Sequence, residues 1–249
     1  MFGLFSKKQN NKAFAIPEGQ RVYTIGDIHG RLDLLERLSE KIVKDIAEHP
    51  SLETTEIYLG DYIDRGPKSA GVIDWLTKNS KMCDRRICLR GNHELYPLSF
   101  LSDERIYDHW RNLGGRETLI SYGIHMPLMF DPEELHHLQQ KFIAAFPPHH
   151  AEFIANLEDT HIIGDYFFVH AGARPGVPLD KQKQDDLLWI RDDFLHSRYK
   201  FSKMIVHGHT PVEKPEIMGN RMNIDTGAYT TNKLTCIVLE NTQHRFIHT

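Results

Sequence analysis

The chain has 249 residues, an apolar fraction of 40% and a formal net charge of −4 at pH 7, which suits one sizeable globular domain. It has no block of lysine and arginine, so a nucleic-acid partner is not expected, and no apolar run is long enough to span a bilayer. Three cysteines without a Cys-x-x-Cys pattern exclude a disulfide framework and suit a reducing, cytoplasmic location.

The first segment in chain order, residues 1–20, is expected to be flexible, and residues 21–249 are expected to form a single domain. Residues 1–20 begin with a short apolar stretch, which is followed by Lys7 and Lys8. A secretory signal places its charge before a longer apolar region, so we predict a frayed terminus here.

One arrangement then recurs: a short β-prone run ends abruptly in a loop of Gly, Asp, His or Asn. Near-continuous apolar runs bounded by turn residues predict buried strands. The strands predicted before such loops cover residues 21–25, 56–59, 86–89, 166–169 and 204–206. Two more strands, at residues 222–225 and 234–239, are predicted around a loop at residues 226–229.

Helical patterns lie between these strands. Apolar residues from Leu32 to Ile46 recur at helical spacing, and further helices are predicted near residues 72–76, 132–143 and 150–157. Residues 95–161 carry no metal-type motif, and we interpret them as a helical, cap-like insertion that shapes the substrate cleft. Strands alternating with helices predict an α/β fold, in which ligands gather at the carboxyl ends of the strands. The five polar loops should therefore converge on one site.

The polar residues of these loops form a mixed set of oxygen and nitrogen donors. They are Asp27, His29, Asp61, Asn92, His93, His170, His207 and His209. Such a set suits divalent Mn, Fe or Zn better than Ca or Mg. It is too large for one ion, but two ions about 3.5–4 Å apart that share a carboxylate would use it. Each loop alone would be an ordinary turn; their recurrence predicts the metal centre.

The loops at residues 26–30 (GDIHG), 60–66 (GDYIDRG) and 91–94 (GNHE) resemble the three signature motifs of the phosphoprotein phosphatase family, within the calcineurin-like metallophosphoesterases. The later His170-Ala171-Gly172 and Gly208-His209 complete the set. The run at residues 186–191 (DLLWIR) adds to a resemblance to compact bacterial and phage serine/threonine phosphatases. The resemblance covers about residues 21–240 and implies a four-layer α-β-β-α sandwich.

The resemblance also implies which residues hold two metal ions. Asp27 and His29 would hold the first ion, and Asp61 would bridge both. The second ion would be held by Asn92, His170 and His209. His209 is favoured over His207 because it directly follows a small residue, as the ligand of this family does.

Four catalytic residues follow from the same resemblance. His93 would protonate the leaving oxygen as general acid, and Asp64 would fix its tautomer. Arg65 and Arg191 would clamp phosphate oxygens, for which Arg174 is a weaker alternative. Glu94 is expected to support its loop rather than bind metal, and Tyr229 to border the site or to pack.

The resemblance thus implies a phosphomonoesterase that uses a hydroxide activated by two metals. The predicted substrate is a phosphoprotein, cleaved at serine or threonine, with tyrosine left open. Pro211 stands where nucleases and many phosphodiesterases of the superfamily have a second His, which favours this branch. A symmetrical diadenosine tetraphosphatase, or another hydrolase of small phosphorylated molecules, remains the alternative. It would need an aromatic slot for a base, with Trp110, Trp189 and Tyr122 as candidates.

Two other classes are disfavoured. A cysteine-dependent tyrosine phosphatase needs an Arg six positions after its Cys, and Cys83, Cys88 and Cys236 all lack one. A non-enzymatic binding protein would be expected to lose ligands, whereas the whole set is present. The sequence makes no prediction of oligomeric state.

Overall fold

The computed structural model describes residues 13–50, 53–78, 81–126 and 131–249. The expected flexible segment therefore lies outside the described residues up to position 12. Beyond it, Ile16 is buried in the core and donates its N–H to the carbonyl of Asn241 at 2.8 Å. Because this side chain enters the core, packed structure begins before residue 21, the expected start of the domain.

The described residues contain ten strands. They are β1 (Gln20–Ile25), β2 (Glu53–Tyr58), β3 (Arg85–Cys88), β4 (Thr160–Ile163), β5 (Tyr166–Val169), β6 (Met204–His207), β7 (Glu216–Ile217), β8 (Arg221–Asn223), β9 (Thr235–Glu240) and β10 (Gln243–His248). The first sheet has the order β10-β9-β1-β2-β3, and the second has the order β4-β5-β6-β8-β7. The strands β1, β2 and β3 are parallel in the first sheet, as are β5, β6 and β8 in the second.

The described residues also contain ten α-helices, several of which the sequence pattern predicts. The ten helices are α1 (Leu32–Glu48), α2 (Ser69–Lys78), α3 (Leu95–Ser102), α4 (Ile106–Trp110), α5 (Gly115–Ser121), α6 (Pro132–Ala145), α7 (Pro148–Ala155), α8 (Gln184–Trp189), α9 (Asp192–Leu195) and α10 (Ala228–Thr231). In α1 the buried residues recur at helical spacing from Leu34 to Ile42. At the start of α6, Asp131 accepts a hydrogen bond from the N–H of Glu134, and Pro132 occupies the first turn.

The two sheets pack face to face with helices outside them, which confirms the predicted four-layer fold. Val22 of β1 points into the core between the sheets, whereas its neighbour Tyr23 points into the core beneath α1 and α2. In β5, Phe168 faces the first sheet and Phe167 faces α8 and α9. Successive side chains of a strand therefore belong to different layers.

Three strands are absent from the sequence prediction: β4, β7 and β10. All three are edge strands of their sheets. An edge strand is covered on fewer sides than a central one, so it need not show a continuous apolar run. In β10 the first three residues are exposed, which hides the strand in a polar pattern.

Residues 95–161, predicted as a cap-like insertion, form α3 to α7 and the start of β4 where the structure describes them. Phe100, Trp110 and Phe142 are fully buried in the same core as α1 and α2. These helices are thus the outer layer over the first sheet. No helix in the described ranges is long and apolar enough to cross a membrane.

Candidate metal centre

The polar loops meet where the parallel strands of the two sheets end. Strands β1, β2 and β3 lead to the loops of Asp27, Asp61 and Asn92, and β5 and β6 lead to those of His170 and His209. Every one of these side chains is at least 95% buried. The convergence follows from parallel strands that all present their carboxyl ends at one edge.

Asp61 lies at the centre of this cluster. Its Oδ2 is 3.4 Å from Nε2 of His29, and its Oδ1 is 3.4 Å from Nε2 of His170. On the second side, Nε2 of His170 is also 2.9 Å from Oδ1 of Asn92 and 3.2 Å from Nδ1 of His209. The two oxygens of one carboxylate thus face two separate groups of donors.

The tautomers of two imidazoles follow from their backbone contacts. Nδ1 of His29 lies 2.8 Å from the carbonyl of Ile63, and Nδ1 of His170 lies 2.9 Å from that of Leu59. A carbonyl only accepts, so Nδ1 carries the proton and Nε2 presents a lone pair to Asp61. Lone pairs that face each other at these distances repel, and a cation between them would relieve that repulsion. The donor set therefore fits two divalent ions.

Asp27 contacts the loop that carries Gly208 and His209. Its Oδ2 accepts the backbone N–H of His209 at 3.0 Å, and its buried Oδ1 has no hydrogen-bond partner among the described residues. A Cβ on Gly208 would clash with that oxygen, so the loop needs glycine there. An unpaired buried carboxylate oxygen is costly, and a metal ion would satisfy it.

Burial keeps the imidazoles in the form that binds metals. It lowers the pKa of His29 and His170, and it lowers the pKa of His209 to about 2. Neutral imidazoles add no positive charge. Burial raises the pKa of Asp27, helped by the nearby carboxylates of Asp225 and Asp61. The centre therefore holds excess negative charge that divalent cations would balance.

Five residues of the centre adopt left-handed backbone conformations that non-glycine residues rarely occupy. Their φ angles lie between 45° and 71°, and the residues are His29, Asp61, Asp64, Arg65 and His209. Each such conformation costs on the order of 1–3 kcal/mol. This strain is maintained by the packed strands beneath the loops.

Beside the donors, His93 and Asp64 form a buried pair. Nδ1 of His93 is 2.6 Å from Oδ2 of Asp64. Burial disfavours the imidazolium, but the carboxylates of Asp61 and Asp64 outweigh it and hold the pKa of His93 above its ordinary value. Asp64 also accepts the indole N–H of Trp110 at 2.9 Å and the hydroxyl of Thr118 at 2.5 Å. These bonds fix the carboxylate that orients His93.

The Arg65 guanidinium stands at the mouth of the centre. Its two terminal nitrogens lie 2.9 Å from Nε2 of His29 and 3.2 Å from Nε2 of His93. The group also lies over the ring of Tyr229, 4.8 Å from its centroid, and Tyr229 meets His29 edge-on. A planar guanidinium held between His29, a candidate metal ligand, and His93 is suited to bind phosphoryl oxygens.

The two other arginines differ in their surroundings. Arg191 is exposed and donates to the hydroxyl of Thr210, next to His209. Arg174 is held by the carboxylates of Asp186 and Asp193. Arg191 is therefore the better placed of the two to reach a bound phosphate.

His207 stands apart from the donors. Its ring packs edge-on against Phe194 at 5.0 Å, and its Nε2 faces Arg221. Burial lowers its pKa to about 3, to which Arg221 adds. The structure thus places His209, and not His207, among the donors of the cluster.

Comparison with known proteins agrees with this geometry. The model of the calcineurin-like phosphoesterase family matches residues 20–239. The chain belongs to that family. This membership confirms the predicted superfamily and a hydrolytic, metal-dependent phosphatase chemistry.

Individual relatives of this phosphoesterase carry names that are more specific than that of the family. A Geobacillus thermodenitrificans protein named bis(5'-nucleosyl)-tetraphosphatase PrpE [asymmetrical] is 31% identical over 86% of this chain and 88% of its own length. A Bacillus cereus protein of the same name is 30% identical over 85% and 87%.

Solved structures support the fold. A protein assigned as a diadenosine tetraphosphatase superposes with a TM-score of 0.64 at 16% identity, covering 95% of this chain and 98% of the other. A cold-active protein-tyrosine phosphatase from Shewanella superposes with a TM-score of 0.51 at 16% identity, covering 94% and 80%.

Glu94 connects two loops of the phosphoesterase centre without facing the donors. Its Oε2 accepts the N–H groups of Asp61 and Gly91, both at 2.9 Å, and its Oε1 accepts that of Tyr62 at 2.8 Å. The side chain is fully buried. Glu94 is therefore a positioning residue that holds the strained backbone of Asp61.

Replacing Glu94 with glutamine should weaken metal binding and lower stability. One oxygen becomes an NH₂ group that faces a backbone N–H, and an unsatisfied buried donor costs about 1–3 kcal/mol. At this chain length that corresponds to a fall in Tm of roughly 2–12 °C. Calorimetry and metal titration would measure the two effects. The exposed Glu152→Gln is the matched control, and equal Tm and metal affinity in both variants would contradict this role.

Trp110 and Thr118 contact the Asp64 carboxylate, a role that the sequence pattern does not predict for either residue. They bond to Asp64 from α4 and α5, at 46 and 54 residues' distance along the chain. Nothing in the sequence distinguishes either residue from a packing position. Only the fold brings them to the motif.

Proposed function

We propose that this phosphoesterase hydrolyses phosphomonoesters and that its substrate is a protein carrying phosphoserine or phosphothreonine. The observation that supports this is the His93–Asp64 pair at 2.6 Å beside the donors. A serine alkoxide is a poor leaving group, so its departure depends on a proton from a positioned acid. A pair dedicated to proton delivery suits esters with such leaving groups.

When bound, two divalent ions would supply Lewis-acid activation of the phosphoryl group and of the attacking water. The residues that would hold them are Asp27, His29, Asp61, Asn92, His170 and His209. Arg65 binds phosphoryl oxygens and orients the ester, with Arg191 as a second contact from the other rim. His93 gives the proton on Nε2 to the leaving oxygen while Asp64 holds Nδ1. The residues contribute mainly positioning and charge stabilisation.

A second candidate is hydrolysis of a bis(5'-nucleosyl) tetraphosphate, since relatives at 30–31% identity carry that name. That name specifies asymmetrical cleavage, whereas the alternative predicted from the sequence is a symmetrical hydrolase. Of the three aromatic candidates for a base slot, Trp110 is fully buried, and Tyr122 bonds to His150. Trp189 is 37% exposed and meets His209 edge-on at 6.2 Å. Trp189 is therefore the candidate that is both partly exposed and in contact with a residue of the centre.

Comparison of three substrates on manganese-loaded protein tests the proposal. We expect phosphate release from a phosphoserine peptide with a higher kcat/KM than from a phosphotyrosine peptide or diadenosine tetraphosphate. Metal-stripped protein is the control. Turnover confined to the dinucleotide would overturn the protein-phosphatase proposal, and its products would show the cleavage mode: AMP with ATP for asymmetrical cleavage, or two ADP for symmetrical cleavage. A higher kcat/KM on phosphotyrosine would overturn the serine/threonine preference alone.

A further inference from the structure

A second group of metal-type donors lies outside the catalytic centre, between α2 and α7. Nε2 of His150 is 3.0 Å from Oδ1 of Asp74, and Nε2 of His149 is 3.6 Å from the same oxygen. All three donor atoms lie within 4.8 Å of one another. Two imidazoles and one carboxylate thus converge on a single small volume.

The spacing of these atoms suits a shared ion. With Zn–N and Zn–O bonds of about 2.0–2.2 Å, neighbouring ligands of a tetrahedral ion stand about 3.3 Å apart. The two separations from Oδ1 of Asp74, 3.0 Å and 3.6 Å, lie on either side of that value. They also resemble the 3.4 Å that separates His29 and His170 from the oxygens of Asp61 in the catalytic centre. Similar separations between imidazole nitrogens and a carboxylate oxygen therefore occur at both places.

His150 is held in place for this contact. Its side chain is 1% exposed, and its Nδ1 lies 2.8 Å from the hydroxyl of Tyr122. Metal-binding histidines commonly have their second nitrogen fixed by such a partner. The Tyr122 hydroxyl supplies that partner here.

The other two donors leave an entry path from solvent. The side chains of His149 and Asp74 are 45% and 42% exposed. Asp74 also pairs with the ammonium of Lys78, whose side chain is 60% exposed. An exposed ion pair of this kind contributes little, and the flexible lysine stem can swing away. Lys78 therefore competes weakly with a divalent ion.

We propose that Asp74, His149 and His150 form an accessory site for a divalent first-row transition metal, and that zinc fits it best. Water would complete the coordination shell, because only three protein donors are present. The ion would brace α2 against α7. Since Ser69 at the start of α2 accepts the backbone N–H of Asp64 at 3.0 Å, this brace lies on the helix that supports the catalytic loop.

Elemental analysis of zinc-saturated full-length protein after gel filtration tests the proposal. We expect three zinc ions per wild-type chain and two in His149→Ala and in Asp74→Asn, with the exposed His244→Ala as the matched control that keeps three. Adding zinc to a 100-fold excess over the Kd of the third ion should raise Tm by roughly 5–10 °C in the wild type. That increment should be absent from both site variants.

Two results would overturn the accessory site. One is a wild-type protein that binds only two zinc ions at saturation. The other is a third ion retained by both His149→Ala and Asp74→Asn, which would place it elsewhere on the surface. Both variants change partly exposed side chains, so we expect them to fold. Circular dichroism before metal is added would verify this.

Discussion

Asp61→Asn should lose most of its bound metal and should hydrolyse every phosphate substrate at least ~10³-fold more slowly. This loss exceeds the ~10²–10³-fold fall in rate that follows the removal of one stabilising hydrogen-bond donor. The reason is that Oδ1 and Oδ2 of Asp61 face His170 and His29 separately, each at 3.4 Å. The amide of asparagine offers one metal-binding oxygen in place of two, and it carries no negative charge. Both metal positions are therefore weakened by one substitution.

Elemental analysis and kcat/KM on an aryl phosphate would measure this effect. We expect Asp61→Asn to retain less than one of the two catalytic ions per chain, whereas Asp180→Asn, an exposed carboxylate used as the matched control, should retain both. Both variants are made in an Asp74→Asn background, so that the accessory site does not enter the count. A variant that kept both ions and ordinary turnover would show that Asp61 does not bridge them.

His93→Asn should keep its metal and lose activity selectively. For a phosphoserine peptide the loss should be about 10²–10⁴-fold, the usual contribution of a general acid. For an aryl phosphate the leaving phenolate is a much weaker base and needs little proton transfer, so the loss should be less than about tenfold. The ratio of the two kcat/KM values is the measurement, and the exposed His196→Asn serves as control.

The alternative role for His93 is a metal ligand, because its side chain lies near His29 and Asp61. Its Nε2 is 3.8 Å from Oδ2 of Asp61, farther than the 3.4 Å of His29. Loss of one ion in His93→Asn, or equal losses on both substrates, would favour a ligand over an acid.

The sequence predicts the centre well where the chemistry is local. A buried strand followed by Asp, His or Asn identifies each donor loop, and the parallel strands bring those loops together. Even so, the pattern alone does not separate His207 from His209, since both come after the predicted strand at residues 204–206. The structure separates them because His207 ends β6 and packs against Phe194, whereas His209 follows the turn at Gly208.

The sequence predicts poorly where contacts join distant parts of the chain. Trp110 and Thr118 reach Asp64 from helices whose apolar pattern records only their packing. The same holds for the accessory donors: His150 and Asp74 are 76 residues apart on different helices. The edge strand β10 is hidden for a different reason, because half of its residues face solvent.

The order of the first sheet also has a consequence for how the molecule is made. Strand β9 pairs with β1, with Arg21 opposite Glu240, and the donors are spread from Asp27 to His209. A ribosome that has delivered only the first half of the chain has supplied the three motif loops, but neither His170 nor His209 nor the strand that covers β1. Closing so long a loop is slow compared with forming local structure. Hydrolytic activity should therefore appear only after β9 has been synthesised, and fragments that end before His209 should be unable to hydrolyse phosphate esters.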